Sequence, residues 1–348
     1  MQKLLFFTLL FFISIRSKSV AQDAQLTQFY ASPLTLNPAL TGAFEGKYRV
    51  GAAYRDQWRK VVENPIKTFS AGGDFRFKGP LKSIKDDAVG LGLVFFNDKT
   101  GVIDFSTTQI AVSLAYHKSL DNRDRQVLSL GIQGGLTQRN VNYESLNFHD
   151  EFNGSDGYTL GTGEELPPNN FSYADYNAGL NYTVKFGRTG RFFAGAAMHH
   201  FNRPRAVFTE KSDNQRNDRL YARYSGQMSA YIPFKRNNRA AITPRVLFAA
   251  QGQHLQVNAG TNFRFAMGSY ASSAVHIGGW ARQVRSKDGL ALDAVVALLG
   301  FEMNNVLLGL SYDLNPKALS VNQRQGAFEI TIAYLGNYEN EDILCPKF

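Results

Sequence analysis

From Tyr173 to Phe186 the chain alternates without a break. Tyr176, Ala178, Leu180, Tyr182, Val184 and Phe186 fall on one side, and Asp175, Asn177, Gly179, Asn181, Thr183 and Lys185 on the other. A period of two is that of a β-strand, whose successive side chains point to opposite faces. The pattern starts at Tyr48–Trp58 and recurs to Ala327–Leu335. Between them come segments such as Thr68–Phe77, Phe105–Tyr116, Gln126–Thr137, Leu220–Ile232 and Leu290–Phe301, about fourteen strands in all. Each is near the length that crosses a bilayer when tilted. One face is apolar with aromatic residues toward the strand ends. The other carries Gly, Ser, Asn, Gln and Thr, a composition suited to a hydrated lumen.

A sandwich of so many strands would need a dry core between two sheets and protected edges. A closed cylinder pairs every backbone group, as lipid requires. The pattern therefore predicts an all-β fold, a transmembrane antiparallel outer-membrane β-barrel spanning residues 48–335. If both termini are periplasmic, the long or polar connections Arg59–Lys67, Asn142–Ser172, His200–Arg219 and Asn315–Gly326 face outward, and short turns such as Gly187–Gly190 face inward. A barrel this wide is not filled by its own wall. It holds water or a plug, and the candidates for a plug are residues 22–47 or the loop Asn142–Ser172.

Ahead of the strands, Lys3, the apolar run Leu4–Ile15 and Ser19-Val20-Ala21 read as a secretory signal peptide over residues 1–21. Twelve apolar residues make a helix of about 18 Å, too short for a membrane anchor. Cleavage after Ala21 leaves 327 residues and lowers the formal charge from +9 to +6. No dense Lys/Arg block points to nucleic acid. A lone cysteine, Cys345, excludes an internal disulfide framework.

Residues 22–47 do not alternate. Their prolines and glycine mean turns, while Phe29, Tyr30, Leu34, Leu36 and Leu40 need burial, so they read as an ordered leader packed on the rest. Gln28-Phe29-Tyr30, Pro33-Leu34, Asn37-Pro38-Ala39 and Thr41-Gly42 resemble the N-terminal signature of the PorP/SprF family of type IX secretion membrane proteins. Cys345-Pro346-Lys347-Phe348 resembles that family's C-terminal ending. The resemblance implies an outer-membrane barrel of Bacteroidota-type bacteria. It implies partners in the type IX machinery and in the C-terminal sorting domain of an exported surface protein, such as a gliding adhesin. Gln28, Phe29, Tyr30, Pro33, Asn37, Pro38 and Gly42 would then be partner-binding residues of the leader. Cys345, Pro346 and Phe348 would form a docking tail within a periplasmic segment 336–348.

The sequence contains no G-x-S-x-G, H-E-x-x-H or phosphate-binding loop, so it assigns no catalytic residue, cofactor or metal. His199 and His200 are adjacent and would point to opposite faces, which argues against a shared metal. Asp150, Glu151, Asn153, Asp156, Glu164 and Glu165 lack EF-hand spacing and read as a solvated loop. Inward Arg76, Lys185, Arg223, Arg245 and Arg264 would pair with acids such as Asp74 and Asp175, or sit in water. Tyr143, Phe148, Phe152, Tyr158 and Phe171 are candidate partner anchors on the long loop, or pack it on the rim. The functional expectation is an accessory secretion barrel. The alternative is a passive porin, which shares the fold but needs neither leader nor tail.

Overall fold

A computed structural model describes residues 23–336 except 61, 79–86, 102–103, 122, 124, 145, 156, 188, 209–217, 235–238, 268–272 and 287–288, and 317–325. The expected signal peptide and the Cys345–Phe348 tail lie outside the described residues. Fourteen strands follow in order: β1 (Tyr48–Gln57), β2 (Ile66–Lys78), β3 (Ala88–Thr100), β4 (Phe105–Ser119), β5 (Gln126–Asn140), β6 (Asn170–Phe186), β7 (Gly190–His199), β8 (Arg223–Pro233), β9 (Ala240–Gln251), β10 (His254–Met267), β11 (Ser273–Ser286), β12 (Gly289–Met303), β13 (Val306–Leu314) and β14 (Gly326–Gly336). Each pairs antiparallel with its sequence neighbours, and β1 closes on β14 from Tyr48↔Gly336 to Gln57↔Ala327. Among the described residues no helix is long and apolar enough to cross a membrane.

Closure leaves no free sheet edge, and the two faces of the wall divide as the alternation predicts. Leu93, Val112, Ile132 and Ile277 form an exposed aliphatic band on the outside. Aromatic residues border it at both ends. Phe75, Phe77, Phe186, Phe265 and Tyr334 lie toward the end where β1 begins; Phe69, Tyr176, Tyr224, Tyr312 and Phe328 lie toward the other. An apolar band between aromatic girdles is the outer surface of a membrane barrel.

The inner face is not the hydrated lining that its polar composition suggested. The leader runs through the lumen and is almost wholly buried there. Its only regular pieces are short helical turns at Phe29–Ala31, Pro33–Leu36 and Pro38–Leu40. It begins near the ends of β7 and β9, where Asp23 meets His200 and Gln251. It reaches the opposite end at Glu45, beside Arg191 and Lys185. The leader is thus the plug, whereas the long loop folds on itself through bonds such as Thr162 Oγ1 to Asp150.

The connection before β8 also departs from expectation. Residues 218–222 do not join the sheet as the alternation from Leu220 implied. They double back on the preceding loop instead: Ala206 N–H donates to the Asp218 carbonyl and Leu220 N–H to the Pro204 carbonyl. Burial of Leu220 and Ala222 supplied the apolar alternation without a strand.

Candidate functional site

The leader signature is explained by what each residue meets on the wall. Gln28 donates its amide to Ser311 Oγ at 3.2 Å and accepts from Thr331 Oγ1 at 2.9 Å. The backbone N–H groups of Thr27 and Gln28 both donate to the Glu329 carboxylate, at 2.7 Å each. Phe29 and Tyr30 pack edge-on and tilted against Trp280, with centroids 5.7 and 5.8 Å away. Leu36, Leu40, Leu247, Val296 and Leu298 complete that apolar core. Pro33 opens the second helical turn, where the missing proline N–H is no loss.

Asn37 performs two tasks. Its Oδ1 accepts from Ala39 N–H, capping the turn that Pro38 begins, and its Nδ2 donates to the carbonyls of Leu180 and Ala196 on β6 and β7. Gly179 permits this approach, since a Cβ there would overlap Asn37 Oδ1. Gly131 under Pro38 and Gly90 under Thr41 are constrained in the same way. These inward glycines therefore seat the leader rather than line water. Gly42 adopts φ of +71°, in the left-handed region that favours glycine, and donates its N–H to Asp74 at 2.7 Å.

Buried charges fix the leader at three places. Arg55 reaches Asp313 at 2.8 Å and Glu329 at 3.3 Å, and also bonds Thr27. Arg49 grips Asp74 bidentately, at 2.9 and 2.6 Å, and donates to the Leu40 carbonyl. His200 sits between Asp23 at 2.7 Å and Asp175 at 2.8 Å. Burial pushes the His200 imidazole down, but the two carboxylates outweigh it and hold its pKa at about 9. Burial opposes ionisation of Asp23 too, yet His200 and Arg223 hold its carboxyl well below the usual range.

The expected partners of the inward cations are corrected accordingly. Asp74 belongs to Arg49, and Asp175 to His200. Arg264 pairs with Glu302 at 2.8 Å. Arg245 stacks on the Tyr30 ring at 4.0 Å. Arg76 donates to the Gly42 carbonyl, and Lys185 reaches Glu45. His199 and His200 do not point to opposite faces. Both are buried on the luminal side, His199 Nε2 against the Leu36 carbonyl and His200 between Asp23 and Asp175, because β7 ends at His199 and His200 turns away from the strand with φ of +56°.

The leader does not fill the lumen completely. At the end with the long loops it leaves a partly open cavity of about 310 Å³, bounded by Asp23–Leu26 of the leader and by wall residues including Phe96, Arg139, Tyr173 and Arg223. The long-loop aromatics are not brought together as one anchor. Phe152 and Tyr158 pair at 5.4 Å and stand exposed. Phe171 joins Tyr173 and Phe208 at the mouth. Tyr143 and Phe148 are half-buried. Gln28, Phe29, Tyr30, Asn37, Pro38 and Gly42, expected to bind a partner, meet the barrel's own wall.

Sequence reasoning missed Glu329, Arg55 and Asp313, which hold the leader from the wall. An acid and a base inward on neighbouring strands was the available signal.

No curated protein matches the chain. Similar solved structures include the Pseudomonas putida toluene transporter TodX, 12% identical with a TM-score of 0.48 over 90% of this chain and 95% of that one. The CymD monoaromatic hydrocarbon channel is 10% identical with a TM-score of 0.48, over 89% and 94%. BamA from Haemophilus ducreyi lacking POTRA domains 1–3 is 11% identical with a TM-score of 0.41, over 84% and 70%. A family model described as type IX secretion system membrane protein PorP/SprF matches residues 18–334. With that match over nearly its whole length, the chain belongs to the PorP/SprF family of type IX secretion system membrane proteins.

Proposed function

We propose that this protein is an outer-membrane accessory of type IX secretion that supports export or surface anchoring of a specific partner, such as a gliding adhesin. It acts by docking rather than by catalysis or solute passage. The observation that carries this reading is the leader itself. It occupies the lumen from one end to the other, held by hydrogen bonds from the buried guanidinium groups of Arg49 and Arg55 and by the His200–Asp23 pair. A porin works through an open, water-filled lumen, which this leader occupies, whereas a docking barrel needs a rigid wall and exposed ends. Exposed Phe152 and Tyr158 on the long loop offer apolar anchors to the partner's C-terminal sorting domain. Cys345, Pro346 and Phe348 would engage the type IX machinery at the other end.

In-frame deletion of the gene followed by a census of surface proteins tests the proposal. Loss of one or two large surface proteins is the expected result, and a nutrient-uptake defect alone would count against it. Removal of Cys345–Phe348 should leave the barrel folded and inserted while partner export falls. Unchanged export in that variant would remove the tail from the account.

A further inference from the structure

The loop-end cavity has chemistry that the leader does not use. Arg139 Nε, Arg223 Nε and Gln25 Oε1 are buried and have no hydrogen-bond partner among the described residues. All three groups belong to residues that line the cavity. A buried donor or acceptor gains from a partner, so these three groups offer an entering ligand two donors and one acceptor. Aromatic surface is present as well. The Arg139 guanidinium lies 6.0 Å from the Phe105 ring and 5.8 Å from Tyr173, and Phe96 contributes a further ring to the same wall.

Charge narrows the ligand. Asp23, Asp98 and Asp175 face Arg139, Arg223 and the His200 imidazole held between two carboxylates, so the lining balances. An anion would gain two guanidinium contacts and meet three carboxylates. A neutral molecule meets no such opposition. Shape narrows it further. The volume of about 310 Å³ is at the small end of ligand pockets, which run from roughly 300 to 1,000 Å³. Every strand edge is paired in the closed sheet, so no edge is free to take an extended peptide as an added strand. The leader closes the floor, and a solute entering from the loop end meets a dead end.

We propose that this cavity is a binding site for a neutral saccharide unit, whose hydroxyls satisfy Arg139, Arg223 and Gln25 while a ring face lies on the aromatic wall of Phe96, Phe105 and Tyr173. A sugar supplies donors and acceptors together and carries apolar C–H faces for aromatic contact. The unit comes either from a free sugar or from the end of a surface glycan. The site does not depend on the secretion role.

Calorimetric titration of the purified full-length protein in detergent tests this. The probes are glucose, galactose, mannose, N-acetylglucosamine and maltose, and the oligosaccharide released from the cell's own lipopolysaccharide. Binding of a simple sugar supports the proposal with a free sugar as source, and binding of the released oligosaccharide alone supports it with a glycan end as source. Arg139→Met and Gln25→Met should each weaken binding by about tenfold, the loss of one hydrogen bond within a folded barrel. Phe152→Ala, outside the cavity, should leave binding unchanged. No heat with any probe, or equal heat in wild type and Arg139→Met, would overturn the assignment. So would heat from N-acetylated, amidated trialanine in the absence of saccharide binding, which would make the site a peptide site.

Discussion

Replacing Glu329 tests how the leader is held. The carboxylate is fully buried and accepts two leader amides, Thr27 N–H and Gln28 N–H, at 2.7 Å each, besides its contact with Arg55. A hydrogen bond to a charged group contributes about 1.5–3 kcal/mol, so losing two weakens the leader's grip by about 3–6 kcal/mol. Arg55 keeps Asp313 at 2.8 Å, which limits any further penalty on the cation. At about 1.4 kcal/mol per factor of ten, local opening at Thr27 and Gln28 becomes about 10²–10⁴-fold easier. Hydrogen exchange of the peptide covering residues 24–31, read by mass spectrometry in detergent, reports that opening directly. Glu329→Ala should exchange faster by that factor, and Glu329→Gln, which keeps one acceptor oxygen, by less. Strands such as β4 and β5, remote from the change, should keep their protection. Unaltered protection of the leader in Glu329→Ala would refute the claim that this carboxylate anchors it.

Three further outcomes follow from the same structure. His200 has its pKa raised to about 9, so its contribution is fully present below about 6.5, its unfolded value, and is lost as pH rises through about 9. Wild type should therefore melt above His200→Gln near neutral pH by a margin, at most about 3 kcal/mol, that disappears above pH 9; a margin that persists at high pH would contradict the ion pair. Gly179→Val sets two methyl groups where Asn37 docks, and overpacking of about 1–3 kcal/mol should loosen residues 36–39 in hydrogen exchange while β6 stays paired. Leu93→Lys places a charge on the outer band and should destabilise the barrel in bilayers by about 2–4 kcal/mol, read as a lower denaturation midpoint than for Leu93→Ala.

The outer wall was legible because lipid imposes one rule on it: every second residue must be apolar. Phe69, Ala71, Gly73, Phe75 and Phe77 obey that rule wherever the barrel sits. The inner wall obeys a weaker one. Ser113, Asn177 or Thr331 would suit water as well as a leader, and the sequence cannot separate a solvated hydroxyl from one that bonds Thr41 or Gln28. Two signals did favour a filled lumen. Between the inward acids Asp293 and Glu302, β12 is apolar on both faces, with inward Val296 and Leu298 that water would not require. Glycine recurs inward at Gly90 and Gly131, where leader backbone approaches wall backbone, and at Gly179, where the Asn37 side chain does. Ion-pair partners were harder to read, because they are set by strand register. Arg49 faces Asp74 directly across β1 and β2, a pairing visible only once that register is known.

The leader occupies the lumen of the barrel from one end to the other. Conductance across planar bilayers tests it most directly. Wild-type protein should insert without steady current, and Glu329→Ala combined with Gly179→Val should open discrete conducting steps as the leader loosens. Stable, open, wide pores from the wild type would contradict the account.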